Sequence, residues 1–269
     1  MDEQKYIDMI KINPYVLERI ENPTDEMKLL AVQQNGLALQ FIKDPTPEME
    51  ETAVANTAKA IQFVENPSPE LLDKAIMASW STLEYIKNPS LELQKKALSQ
   101  SGWAIKYIPN PSEELQLLAI HKNYDAIRYI KNPCEEAQEE AARENYEALR
   151  YLKKPSYEAQ CIAIRNDARA IRLVPQLDAA KVLDFLPLNI LVIKYMPTFI
   201  TLTKEDVETA VSKVLAKDDV DETFVRDFIT STAIDRAIDV TPLDKLMLVY
   251  EHGSKKAKKI TVDEKLKFR

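Results

Sequence analysis

Side chains able to do chemistry are few in this chain, and one set of them is periodic. Lys106, Arg128, Arg150, Arg172 and Lys194 stand 22 residues apart, one cation per period. His121, Arg143 and Arg165 form a second set at the same interval of 22. Cations repeated at fixed spacing can focus an anionic partner, a phosphate backbone among them. Trp80 and Trp103 break the local pattern near the start of the row, where an exposed Trp can anchor an interface. The competing reading is a solvated face with local pairing. Asp125 precedes Arg128 by three residues and Glu147 precedes Arg150 by three, while Arg169 and Arg172 have no acid at that distance.

Groups for making or breaking bonds are scarce. The chain holds 2 histidines, His121 and His252, and 2 cysteines, Cys134 and Cys161. No CxxC, HExxH or Gly-x-Ser-x-Gly motif occurs. With only 3 glycines there is no Gly-rich loop to cradle a phosphate. Cys134 occupies a helix N-cap, where a thiol pKa can fall, but it replaces a capping serine, and capping is the simpler reading. Cys161 reads as a partly buried small side chain. The expectation is a non-catalytic protein with no metal, no cofactor and no small-molecule substrate.

The elements that carry these residues follow from a repeat. Pro23, Pro45, Pro67, Pro89, Pro111, Pro133 and Pro155 fall at intervals of 22 without a slip. Periods between 20 and 50 residues mark stacked helical repeats. Counting each proline as position 0, position 1 is Thr24, Thr46, Ser68, Ser90, Ser112, Cys134 and Ser156, and six of these are good N-caps. Position 3 is glutamate in all seven, which suits the positive end of a helix dipole. Positions 4, 8 and 9 are apolar, as in Leu115, Ala119 and Ile120, with alanine constant at position 8. This predicts a first helix covered on one side. Position 12 (Asn35, Thr57, Ser79, Ser101, Asn123, Asn145, Asp167, Asn189) predicts the cap of a shorter second helix. That helix carries an aromatic ladder at position 18, from Phe41 to Tyr195, expected to pack in the core and between repeats. It should stop at Asn/Asp-Pro, because the residue before proline avoids the right-handed helical region.

The apolar pattern outlasts the prolines in both directions. Val192, Ile193 and Tyr195 keep register after Leu177 replaces the proline, and Met9, Ile10, Val16, Leu17 and Ile20 fit one earlier copy. The expected fold is all-α: a right-handed or similarly curved α-solenoid of about nine 22-residue two-helix repeats over residues 1–198. Residues 199–253 should form a helical C-terminal cap, with helices from Thr203 to about Ala216, Glu222 to Ile238 and Pro242 to His252. Residues 254–269 read as a mobile basic tail carrying +5, against a net −7 for the whole chain.

The strings AVQQNGLALQFIKDPTPEM (31–49) and SGWAIKYIPNPSEELQLLAI (101–120) resemble the helical repeats called domain of unknown function 4116. Such repeats occur in giant-virus, phage and some bacterial proteins. The resemblance covers about residues 1–198 and implies an α-helical solenoid and a viral or phage source. It carries no catalytic residues across.

An acidic balance disfavours a dedicated nucleic-acid binder. Two cysteines, no run of 18 apolar residues and a charged N-terminus (MDEQKYID) lead to the expectation of a cytoplasmic protein without membrane span or secretory signal. The expected function is partner-protein binding, with a viral factor blocking or recruiting a host protein as one form. The alternative is nucleic-acid or other polyanion binding along the basic row.

Overall fold

The structure is a computed structural model describing residues 3–234 and 243–267. Among the described residues it is all-helical, with no β-strand. The chain divides into two compact units, Met1–Pro133 and Cys134–Arg269.

In the first unit six α-helices of ten residues each alternate with six-residue 3-10 helices. The α-helices are Glu3–Ile12, Asp25–Gln34, Pro47–Asn56, Pro69–Ala78, Leu91–Gln100 and Glu113–Lys122. The 3-10 turns are Pro14–Arg19, Gly36–Phe41, Ala58–Phe63, Trp80–Tyr85, Gly102–Tyr107 and Tyr124–Tyr129. Each α-helix packs on the next α-helix and each 3-10 turn on the next turn, which makes the unit a two-layer helical-repeat solenoid.

The second helix of each repeat is therefore a 3-10 helix. Its buried positions explain why. Ala126, Ile127 and Ile130 are buried, and their counterparts Ala104, Ile105 and Ile108 are too. Ile127 and Ile130 lie three apart, the period of a helix with 3.0 residues per turn. The backbone bonds agree: Ala126 N–H donates to Asn123 O at 2.9 Å and Ile130 N–H to Ile127 O at 3.1 Å. Six residues are too few for a stable run of i→i−4 bonds, while the tighter turn satisfies its ends at once.

This geometry corrects the expectation for position 18. Phe41, Phe63, Tyr85 and Tyr107 are half-buried and Tyr129 is exposed. They edge the core without filling it. Some still meet across repeats: Tyr15 stands edge-on to Phe41 with centroids 5.9 Å apart, and Trp80 lies 6.3 Å from Tyr107.

The first helices behave as the periodicity predicts. Positions 4, 8 and 9 are buried in every repeat from Met27 to Ile164, with the position-8 alanines fully so. Thr24, Thr46, Ser68, Ser90, Ser112 and Ser156 each accept from the backbone N–H three residues on. Each such cap contributes about 1 kcal/mol. Cys134 makes no side-chain cap bond.

Position 12 caps the second element only in part. Asn35, Ser101, Asn145 and Asp167 accept from the N–H two residues on, and Asn189 does the same for Leu191; Thr57, Ser79 and Asn123 do not. The amides do something else, joining neighbouring repeats. Asn123 Oδ1 accepts from Gly102 N–H at 2.9 Å, Asn56 Oδ1 from Gly36 N–H at 2.9 Å and Gln100 Oε1 from Trp80 N–H at 3.1 Å. Asn56 and Gln100 also donate back to the carbonyls of Gln33 and Ile76, at 2.9 and 2.7 Å. Orphan groups at a helix C-terminus and at the start of a turn are satisfied together. The approach is close: a Cβ on Gly102 would lie 2.2 Å from Ala119 O.

Not every residue before a proline is extended. Asp44, Asn88 and Asn110 have φ of 52°, 51° and 51°. Asn and Asp tolerate this left-handed conformation; the turns themselves stop earlier, at the extended C-caps Ile42, Ile86 and Ile108.

In the second unit Glu135–Glu144 with Tyr146–Tyr151, and Tyr157–Asn166 with Ala168–Leu173, continue the pattern. The ninth pair is altered to a seven-residue helix, Ala179–Phe185, and a four-residue turn, Val192–Tyr195. Four further helices follow among the described residues: Lys204–Leu215, Glu222–Thr230, Lys245–His252 and Lys255–Leu266. The helix expected from Glu222 to Ile238 stops at Thr230, where Ser231 is extended; residues 235–238 and Pro242 lie outside the described residues.

The expectation of a mobile basic tail is overturned. Lys255–Leu266 is a twelve-residue helix capped by Ser254, packed on Glu222–Thr230 and on Lys245–His252. It buries Ala257, Ile260, Thr261 and Glu264, the i, i+3, i+4, i+7 stripe of a one-sided helix. Glu264 is tolerated there because Arg226 pairs with it, while Arg226 also holds Glu222 at 2.5 Å. Arg226 is the main reason that the Glu264 carboxyl sits below its ordinary range, with Lys267 adding to the effect.

Candidate functional site

The 3-10 turns project Lys106, Arg128, Arg150 and Arg172, the short α-helix Val192–Tyr195 carries Lys194, and His121, Arg143 and Arg165 stand on the first helices of their repeats. Position 17 follows the buried pair at 15 and 16, and Lys106, Arg128, Arg150, Arg172 and Lys194 are all exposed. The two units hold them separately: Lys106 and Arg128 in the first, Arg150, Arg172 and Lys194 in the second.

In the first unit aromatic and charged side chains interlock. Lys106 Nζ lies 4.5 Å from the Tyr107 ring centroid and 5.5 Å from that of Trp80, a cation–π arrangement. The Tyr107 side chain beside it is the main reason that the Lys106 ammonium sits above its ordinary pKa, against the opposing effect of burial. The Tyr107 hydroxyl donates to Glu84 at 3.1 Å. Trp80 is half-buried. Trp103 is 41% exposed, and its indole N–H donates to Asp125 Oδ1 at 2.8 Å. The other oxygen of Asp125 pairs with Arg128, whose Nε also donates to the Asp125 carbonyl at 3.0 Å. The Arg128 guanidinium lies 5.8 Å from the Tyr129 ring, which is 44% exposed. His121 is exposed in the last turn of Glu113–Lys122.

In the second unit Arg150 pairs with Glu147 at 3.6 Å, as the i, i+3 spacing predicts. Arg169 does have a partner: it pairs with Asp167 at 2.6 Å and lies 5.1 Å from the Tyr146 ring. The capping residue of its own turn supplies the acid two positions back, a reach that an i, i+3 search does not cover. The Arg169 hydrogen bond is also the main cause of the lowered Asp167 pKa. Arg143 pairs with Glu140, and Arg165 with Glu158 at 2.9 Å, so both are engaged on their own helices. Arg172 and Lys194 instead converge on Tyr195. Arg172 Cζ lies 5.3 Å and Lys194 Nζ 5.4 Å from that ring centroid.

Cys161 is buried, and burial is the main reason that its thiol pKa is raised, the reverse of an activated nucleophile. No group of three His, Cys, Asp or Glu side chains able to hold a metal ion occurs among the described residues. No helix among them is long and apolar enough to cross a membrane.

The cation-on-aromatic pairing is the part that sequence reading missed. Its signal was the adjacent cation and tyrosine at positions 17 and 18, in Lys106–Tyr107, Arg128–Tyr129, Arg150–Tyr151 and Lys194–Tyr195. Compared with protein-family models, with curated proteins and with solved structures, the chain matches none. The resemblance to the 4116 repeats rests on the repeat residues quoted above.

Proposed function

We propose that this chain is a non-catalytic helical-repeat scaffold whose 3-10 turns present a docking face to a partner protein. One observation carries the reading. Trp103 and Tyr129 are both exposed on successive turns, and Asp125 and Arg128 tie them together. Trp, Tyr and Arg are the residue types that dominate binding hot spots, and side chains already held in place lose little freedom on docking. A count of two cysteines, too few for a disulfide framework, suits a reducing compartment such as the cytoplasm. The repeat resemblance supports a viral or phage source, with a host protein blocked or recruited as the partner.

The test is capture of a binding protein on the immobilised chain, followed by titration of that purified protein. The expected result is a loss of affinity of about tenfold or more for Trp103→Ala and for Tyr129→Ala, the scale of a hot-spot truncation. Capture unaffected by either change overturns the reading.

The second reading is polyanion binding along the position-17 cations. It is favoured in the second unit by Arg172 and Lys194, neither of which pairs with a carboxylate among the described residues. Against it, Arg128 and Arg150 of the same set each do. Fluorescence anisotropy with a labelled DNA duplex decides: no binding at low salt eliminates it.

A further inference from the structure

We infer that Arg172 and Lys194, set around the ring of Tyr195, form the docking point for an acidic segment of the partner protein. This rests on the docking reading above and names the partner's chemistry. Arg172 Nε donates to the Tyr195 carbonyl oxygen at 3.1 Å, which fixes the guanidinium over the ring. Its two Nη groups have no protein acceptor among the described residues, and Lys194 has no carboxylate partner there either. Two like charges held beside one ring, each within 5.4 Å of its centroid, favour an anionic partner. A carboxylate is the matching group, because a fixed guanidinium binds it through two parallel hydrogen bonds, and an acidic segment carries further carboxylates for the ammonium.

The neighbouring arginines sharpen the choice. Arg150 and Arg169 are already paired with Glu147 and Asp167, so among the position-17 cations of this unit Arg172 and Lys194 are the two without a carboxylate partner among the described residues. Phe199, four residues beyond Tyr195, is 80% exposed and supplies an apolar anchor beside the cations in sequence. An acidic protein segment with a large apolar residue uses both features. A single-stranded nucleic acid uses only two cations, a slope of log affinity on log salt of about −1.4, and meets a chain of net charge −7.

The experiment uses the full chain and two fluorescein-labelled probes: a peptide of glutamates followed by Leu-Phe, and an oligothymidylate of equal charge. Anisotropy is followed at low salt. The expected result is binding of the peptide in preference to the oligonucleotide. The double variant Arg172→Ala/Lys194→Ala weakens it about tenfold or more, and Arg150→Ala changes it by less than about twofold. Peptide affinity unchanged in the double variant, no peptide binding, or tighter binding of the oligonucleotide overturns the inference. Capture of the partner by Trp103→Ala is scored in parallel. If that variant loses the partner while the peptide ignores Arg172 and Lys194, the acidic-segment inference falls alone. If the peptide depends on both cations while Trp103→Ala keeps its partner, the docking face on Trp103 and Tyr129 falls alone.

Discussion

The indole N–H of Trp103 donates to Asp125 at 2.8 Å, and the same carboxylate holds Arg128. One acid thereby fixes an exposed aromatic on one turn and an exposed cation on the next, 22 residues away. This is how the repeat converts a bland surface into an ordered one.

Replacing Asp125 should therefore disturb order more than stability. Asp125→Ala is expected to cost only about 1 kcal/mol in urea denaturation, because exposed ion pairs contribute little. In a Trp80→Phe background, the emission of Trp103 should shift to the red and its anisotropy should fall. A loss above about 3 kcal/mol shows the carboxylate to be structural.

The core of each turn lies at positions 15, 16 and 19, not at the aromatic. Ile127, 1% exposed, should lose about 3 kcal/mol as Ile127→Ala, whereas Tyr129→Ala should cost under about 1 kcal/mol. Equal losses in chemical denaturation contradict the 3-10 packing.

Gly102 has no room for a side chain. A Cβ there meets Ala119 O at 2.2 Å and Ala119 C at 3.1 Å, both backbone atoms. Gly102→Ala should destabilise the chain by about 2 kcal/mol, read as a lowered denaturation midpoint at unchanged slope.

Much of the fold was legible because its signals are local. A cap, a first-turn glutamate and an alanine at a fixed position recur every 22 residues, and each acts within its own helix. What stayed hidden depends on partners far along the chain. Arg172 meets Tyr195 across 23 residues. Glu264 breaks the apolar stripe of Lys255–Leu266, and its main partner, Arg226, lies 38 residues earlier. The 3-10 character was hidden for another reason: six residues with an adjacent buried pair fit either helix type until the backbone bonds are seen.

That same half-buried pair of Arg226 and Glu264 gives a pH dependence. The Glu264 carboxyl is held below its ordinary value, mainly by Arg226. A depressed carboxyl contributes stability that is present above the unfolded value and is lost as pH falls through the folded one. Docking of Lys255–Leu266 should therefore hold at neutral pH and weaken below about pH 4. Amide protection in residues 255–266, taken relative to the intrinsic exchange rate at each pH, should fall there, and Glu264→Gln should flatten that pH dependence. Protection in the helix that stays constant through about pH 3 contradicts the pairing.

Photo-crosslinking reads the docking face most directly. A benzoylphenylalanine is placed at Trp103 or at Tyr129, and in a third chain at Met77, which is 64% exposed on the α-helical layer. With the captured partner, the first two positions should crosslink strongly and Met77 hardly at all. Crosslinking from Met77 as strong as from Trp103, with none from Tyr129, contradicts docking on the 3-10 turns.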